Sequence, residues 1–441
     1  MSRFFALAKE KITDLINKGA FHIVIGSFMT KFVSFFGSIF VVRLMSKSEY
    51  GILSYYENFT GYFLIAAGFG LDAALLRYMV LAEEMPEKKG CYLHAVKRGT
   101  IWNIFLVAVG LLVLYFYPHK EAFQGQFLVA AFLALCMPFV FFINTGLNTM
   151  RGLFQNKSYA FFSFGISSFL IVSRILGAVL GGLRGVVTLR LLSEILCAGA
   201  CVLYLYKKFF SAVPTQNLEK QMSRGMDSFS VQMMLTNGLW AVFMLNDLFL
   251  LGQLSGNEII IADYKVAYVI PANLSILTVA VGIFVSPYFT KNDKEGNYRW
   301  IKQKSLLVLL ITMGIMGFFV LLCFLLAKPI ILLLYGESYL SAVPIMKLLL
   351  IASFFNNGVR ATLANILSSV GRQKINLAIA GAGMAIQILL DVLLIPRYGG
   401  TGIAISSSFV YLMMSTLLVL YYVFVYFRQM NEKSQLIETE N

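Results

Sequence analysis

Charge is scarce in this sequence. Asp, Glu, Lys and Arg make up 13% of its 441 residues, while 59% belong to the hydrophobic set, far from the balance of a soluble domain. Acidic side chains are scarcer still, 22 against 36 Lys and Arg, which leaves a formal net charge of +14. Such a surplus raises nucleic acid as a partner, but that reading needs a basic face on a folded surface. Here the cations fall in short loops between apolar runs, so no nucleic-acid partner is expected. Cysteine is confined to Cys91, Cys136, Cys197, Cys201 and Cys323, mostly inside apolar runs and with neither zinc-ligand spacing nor the paired layout of a secreted scaffold. They read as packing residues. His22, His94 and His119 are scattered near the ends of apolar runs and form no metal set.

Other signals are missing too. No ATP-binding motif is present, and no nucleophile, base and oxyanion donor can be assembled from spacing, so neither cofactor nor enzyme activity is expected. Gly68-Phe-Gly-Leu-Asp-Ala73 nominally matches a dinucleotide fingerprint, but it ends an apolar helix instead of joining a strand to a helix. Close helix packing explains it better. A cleavable leader is not expected, because the first apolar run begins near residue 20, has full spanning length and lacks a small-residue cleavage site.

Long apolar runs are what the sequence has in abundance. A bilayer core needs about 20 mostly apolar residues per helix, and runs of that length fall near 21–42, 51–71, 99–117, 127–148, 159–180 and 186–206. After a polar stretch they resume near 228–252, 260–288, 303–326, 342–366, 375–395 and 401–426. The expected fold is an all-α integral membrane protein of twelve transmembrane helices. Lys and Arg crowd alternate loops, including Lys88, Lys89, Lys97 and Arg98, Lys207 and Lys208, and Lys291, Lys294 and Arg299. Because cytoplasmic loops retain basic residues, this bias places both termini in the cytoplasm of a cell with this multi-pass chain in its plasma membrane. Before the first span, Phe4, Phe5, Leu7, Ile12, Leu15 and Ile16 alternate with Lys9, Lys11 and Lys18, which suits an amphipathic helix in the cytoplasmic headgroup layer.

The halves also match at one fixed offset. Gly182-Leu-Arg-Gly185 falls on Gly399-Gly-Thr-Gly402, Asn148 on Asn365, Lys157 on Lys374 and Arg174 on Asp391. Each half starts in the cytoplasm and holds an even number of spans, so the expected arrangement is two six-helix lobes related by a parallel pseudo-two-fold repeat. The resulting division is a cytoplasmic amphipathic segment 1–20, an N-terminal lobe 21–206, a linker 207–227, a C-terminal lobe 228–426 and a tail 427–441.

Ionisable side chains inside spans are costly unless they face a cavity or a partner. Lys31 lies mid-span among Phe28, Phe32, Phe35 and Phe36, with no acidic residue in its helix. It reads either as a fixed cation for an anionic cargo or as a lysine neutralised by burial or paired elsewhere. Arg174 and Arg360 carry guanidinium forks suited to phosphate; each reads equally as half of an ion pair, with Asp391 an available carboxylate for Arg174. Asp247, Asp391, Glu57 and Glu194 are the acidic candidates, for ion coupling or for structural pairing. Glu57, within Tyr55-Tyr-Glu-Asn58, has a further reading as a sugar contact. Pro271 and Pro287 in the eighth span and Pro138 in the fourth mark kinks or hinges.

Ser46-Lys-Ser-Glu-Tyr-Gly51, Gly68-Phe-Gly-Leu-Asp-Ala-Ala-Leu-Leu-Arg-Tyr78, Tyr335-Gly-Glu-Ser-Tyr339 and Leu394-Ile-Pro-Arg-Tyr-Gly-Gly-Thr-Gly-Ile-Ala404 resemble, in order and spacing, bacterial polysaccharide-export flippases. That family belongs to the multidrug/oligosaccharidyl-lipid/polysaccharide exporter superfamily, which also contains drug extruders and the lipid II flippase. The resemblance covers nearly the whole chain. It implies translocation of polyprenyl-pyrophosphate-linked oligosaccharides for O-antigen, capsule or related polymers, including those of lipopolysaccharide. Lipid II flippases usually carry two further spans, and this chain ends in a short polar tail instead, which favours repeat-unit cargo. On this reading Lys31, Arg174, Arg360 and Glu57 bind substrate, Asp247 and Asp391 couple a proton or sodium ion or gate the cycle, and the protein acts as a monomer in the bilayer. The alternatives are a cation-coupled multidrug exporter and, in another class, a membrane polymerase or ligase of lipid-linked sugars.

Overall fold

The computed structural model describes residues 20–216 and 218–428. The expected amphipathic segment before residue 20 and the polar tail beyond residue 428 lie outside the described residues. Among the described residues the chain is helical throughout, in sixteen α-helices joined by short turns. The first part runs through α1 (Ala20–Leu44), α2 (Lys47–Ile65), α3 (Leu71–Leu81), α4 (Met85–Phe116), α5 (Phe127–Leu135), α6 (Met137–Gly152) and α7 (Asn156–Leu205). Then come α8 (Lys220–Ser255), α9 (Glu258–Asn273), α10 (Ser275–Lys294), α11 (Tyr298–Leu325), α12 (Ala327–Tyr335), α13 (Ala342–Ser353), α14 (Ala361–Ser369), α15 (Gln373–Tyr398) and α16 (Gly400–Leu420).

Among the described residues nine helices, some of them continuous pairs, are long and apolar enough to cross a membrane, ten if α2 and α3, bent by 42°, make one broken span. Their outward faces are greasy: Phe116, Phe161 and Leu180 are each about three-quarters exposed, a surface that lipid, not water, can cover. The chain is a multi-pass membrane protein. Several spans extend beyond their hydrophobic runs, since α4 begins at Met85 and α8 at Lys220, where polar side chains carry the helix past the membrane edge.

Contacts divide the chain into two compact units, one up to Leu245 and the other from Asn246 onward. In the first unit, at the ends of α3, α4 and α8, Leu75, Met79, Tyr92, Phe141, Met150, Phe210 and Met226 are buried together. His94 and Arg98 on α4 both meet Asp227 on α8 there. In the second unit Phe289, Ile301, Leu363, Leu367, Leu418 and Tyr422 form the main cluster.

Turns interrupt the spans where the sequence supplies glycine or proline. α7 holds two helical arms broken at Gly181 and Gly182, the latter at φ 54°, ψ −135°. Gly399, between α15 and α16, adopts φ 54°, ψ −132°. Only glycine occupies that region without strain. A Cβ on Gly185 would collide with the carbonyl of Gly177, and one on Gly402 would sit 2.7 Å from the carbonyl of Leu394, so each turn folds its second helix back tightly against the first. The Ser46 motif explains itself here. Ser46 and Glu49 cap the start of α2 reciprocally, and Glu49 Oε1 also accepts from the backbone N–H of Leu183 at 3.1 Å, fastening α2 to the first glycine turn.

Of the prolines, Pro138 stands at the start of α6, just after a break at Cys136, and Pro271 lies within α9 two residues before it ends at Asn273. Pro287 sits inside α10, which continues through it. The tenth expected span contains a π-helical stretch, Phe354–Arg360, between α13 and α14.

Candidate functional site

Each unit holds one polar cluster among its membrane helices. In the first, Glu57 on α2 accepts from Arg174 at 2.8 Å and from Arg190 at 2.7 Å, and Arg190 also donates to Glu194 at 2.9 Å. Two guanidinium groups and two carboxylates therefore balance in charge across α2 and the two arms of α7, as buried charges require. Arg174 Nε and Glu194 Oε2 are buried without partners among the described residues. Of the two sequence readings of Arg174, the structure realises the ion pair, with Glu57 as its partner in place of Asp391. Glu57 is accordingly engaged by arginines, and its neighbours Tyr55 and Tyr56 are each 1% exposed, packed around His119 and Phe123.

Arg190 escaped the sequence reading. Its signal was present, because an arginine four residues before Glu194 inside an apolar run pairs with it on one helix face.

In the second unit Asp391 on α15 is fully buried. It accepts a short hydrogen bond from the Ser406 hydroxyl and a long one from the Gln387 amide, 3.4 Å, which also donates to Ser407 at 3.0 Å. Asp247, near the outer end of α8, accepts from the Tyr264 hydroxyl at 3.2 Å and lies close enough to Asp391 for the two carboxylates to interact electrostatically. Among the described residues no cationic side chain pairs with either acid. Two carboxylates within electrostatic reach of each other, with no cationic partner among the described residues, are stabilised in a membrane interior by a proton or a bound cation, and carboxylate, hydroxyl and amide oxygens are of the hard type that holds a small cation. Among the described residues no group of three His, Cys, Asp or Glu is gathered for a metal.

Arg360 ends the π-helical stretch of the same unit. Its Nε donates to Asn356 at 2.7 Å and its guanidinium lies 5.9 Å from the ring centre of Tyr411. Among the described residues it has no carboxylate partner. Lys31 in α1 of the first unit is exposed among Phe28, Phe32 and Phe36, with no hydrogen-bond or ion-pair partner among the described residues. The structure thus pairs Glu57 with Arg174, sets Asp247 and Asp391 within electrostatic reach of each other, and leaves Lys31 and Arg360 as cations without a counter-charge among the described residues.

Comparison with known proteins bears on what such a scaffold is for. The chain is 23% identical over 423 residues, 90% of its length and 82% of the relative's, to an uncharacterized membrane protein of Methanocaldococcus jannaschii. Its fold is similar to the lipid II flippase MurJ in an inward closed conformation, TM-score 0.69 at 16% identity, covering 91% of this chain and 87% of that one. It is similar to an inward-facing multidrug resistance MATE transporter of the MOP superfamily, TM-score 0.68 at 16% identity, covering 93% and 96%. A third is a MOP superfamily transporter from Pyrococcus furiosus described by the reverse polarity of its binding pocket, TM-score 0.61 at 16% identity, covering 95% and 96%. At those identities the likeness concerns the fold, which is that of MOP-superfamily transporters. Residues 16–293 match the family described as polysaccharide biosynthesis protein, well over half the chain, and the chain belongs to that family.

Proposed function

We propose that this protein is a flippase that carries polyprenyl-pyrophosphate-linked oligosaccharide units across the plasma membrane by alternating access, for assembly of a cell-surface polysaccharide. The observation that carries the reading is that two cations, Lys31 and Arg360, have no counter-charge among the described residues, within membrane helices of a polysaccharide-family chain. A fixed positive charge in that setting is stabilised by an anionic cargo, and pyrophosphate offers many charge-assisted acceptors. On this reading Arg174 and Glu57 in the first unit contact the cargo as well as each other, while Asp247 and Asp391 in the second bind the coupling proton or sodium ion.

Twelve spans follow when α1 counts as one, the bent α2–α3 pair as one and α7 as two. Support for two six-helix lobes, 21–206 and 228–426 joined by 207–227, comes from the matching conformations of Gly182 and Gly399 and their equivalent close approaches. With the basic loops inside, both termini are cytoplasmic, and one chain suffices for the cycle.

The test is leaflet translocation of a fluorescent short-chain prenyl-pyrophosphate sugar in proteoliposomes. Wild-type protein moves the probe, while Lys31→Ala and Arg360→Ala, at equal reconstitution, do not; translocation at the wild-type rate by both variants rejects the site. The likeness to MATE transporters favours one other reading, a cation-coupled drug exporter. Resistance to cationic dyes on expression, without movement of the sugar probe, would decide for it.

A further inference from the structure

The break between α2 and α3 is built, not merely tolerated. Gly68, Phe69 and Gly70 are all left-handed, at φ 61°, 56° and 72°, which ends α2 and restarts the chain at a new angle. A broken helix in a bilayer must find new partners for the freed backbone groups. Trp102 Nε1 donates to the Ala66 carbonyl at 2.8 Å, Asn103 accepts from the Gly68 N–H at 2.9 Å, and Asn148 donates to the Asp72 carbonyl at 2.9 Å. Helix α8 comes up tightly against the break, since a Cβ on Gly70 would collide with the Ser230 carbonyl and one on Gly238 would lie 2.7 Å from Ile65.

Beside this break the first unit encloses a cavity of about 280 Å³ between α2, α3, α6 and α8, with Asp72, Asn144 and Asn237 among its walls and Phe141, Met233 and Met234 as apolar lining. Asn144 and Asn237 are exposed to it and, among the described residues, neither amide has a hydrogen-bond partner. Unpaired amides within membrane helices are costly unless water or a ligand answers them. One carboxylate and two amides present acceptors and donors together, as a ring bearing several hydroxyls does, and the apolar lining suits the C–H face of such a ring. A drug cation would draw on only the single carboxylate.

We infer that this cavity is a sugar subsite, which receives the pyrophosphate-proximal ring of the lipid-linked cargo through Asp72, Asn144 and Asn237. The inference rests on the flippase reading and deepens it, assigning ring recognition to the break in the second span.

The test uses full-length protein in nanodiscs and two classes of soluble probe, farnesyl pyrophosphate and farnesyl pyrophosphate carrying N-acetylglucosamine, glucose or galactose. Binding is read from tryptophan fluorescence, since Trp102 bonds to the Ala66 carbonyl between the lining residues Ile65 and Ala67. At least one sugar-bearing probe is expected to bind about tenfold tighter than the sugar-free one, the gain of two or so net hydrogen bonds. The double substitution Asn144→Leu/Asn237→Leu, and separately the cavity-filling Ala241→Leu, should erase that difference and leave sugar-free binding unchanged. Unchanged sugar-free binding also certifies that the variants are folded. Equal affinity for all probes, or a sugar preference untouched by both variants, overturns the subsite while the flippase reading stands. Failure of every probe to bind overturns both. Asp72-dependent binding of rhodamine 6G with no sugar preference overturns the subsite in favour of a drug pocket.

Discussion

Glu57 shows how much a single side chain holds in place. It accepts from two arginines on opposite arms of the kinked α7, so Glu57→Ala would leave Arg174 and Arg190 facing each other without their shared counter-charge. Removing one partner of a fully buried pair costs about 3–5 kcal/mol. Here about a fifth of each side chain remains exposed, and about 2 kcal/mol is the expected loss once solvent screening is discounted. Thermal unfolding in detergent measures it, and Glu57→Met combined with Arg174→Met should be milder than Glu57→Ala alone.

His119 makes a second residue-scale prediction. In the turn after α4 its Nε2 lies 3.1 Å from the Leu114 carbonyl and its Nδ1 3.2 Å from the Tyr55 hydroxyl, and the rings of Tyr55, Tyr56, Phe59 and Tyr117 surround it. Burial lowers its pKa below the ordinary value of 6.5, so the folded chain binds the proton less readily than the unfolded one. The contribution is therefore fully present above about pH 6.5 and is lost as pH falls through the unfolded pKa toward the folded one. Wild-type protein should lose thermal stability between pH 7.5 and 5.5, and His119→Phe should flatten that slope. Neither pairing was legible in advance, because hydropathy and loop charge report which residues enter the membrane and not which helices meet. The carboxylate offered to Arg174 was Asp391 on repeat position alone, whereas the fold places Glu57 beside it.

At the scale of elements, spans read well from the sequence because each is a long run whose solvent decides its structure. Ends and breaks read less well. The stretch Gly68–Ala73 carried the right residues for close packing, and Gly68 and Gly99 do press on the ring of Phe141. The same glycines also turn the helix, which a hydropathy window cannot register. The glycine turns were legible because spacing repeated them. Gly182→Ala should be severe, since its backbone is closed to an L side chain and Glu49 occupies the space of a Cβ; about 3 kcal/mol is a reasonable size for one such strained residue. Gly125→Ala, also left-handed at φ 72° but with nothing within 4 Å of a Cβ, should cost about 1–2 kcal/mol. Unfolding of the two variants in the same detergent tests the difference, and equal losses would mean that Glu49 moves aside freely.

For the whole molecule, the proposed transport cycle can draw on the two buried acids of the second unit. Asp247 and Asp391 come from helices far apart in sequence, and each is satisfied in part by hydroxyl and amide donors, with no cationic partner among the described residues. Bound to a proton or sodium ion the pair is neutralised; empty, it carries like charges that repel at close range. Cation release then destabilises whichever conformation holds the acids together, and a gradient across the membrane can bias the two ends of alternating access. On this argument Asp391→Asn mimics the neutralised pair permanently. It should leave binding of the prenyl-pyrophosphate probe intact and remove stimulation of flipping by an imposed gradient, measured in proteoliposomes with a sodium gradient and a proton gradient applied separately. Wild-type flipping that ignores both gradients, or an Asp391→Asn protein that still responds to the effective one, would show that the acids serve the packing of α15 and α16 and not the energy source of transport.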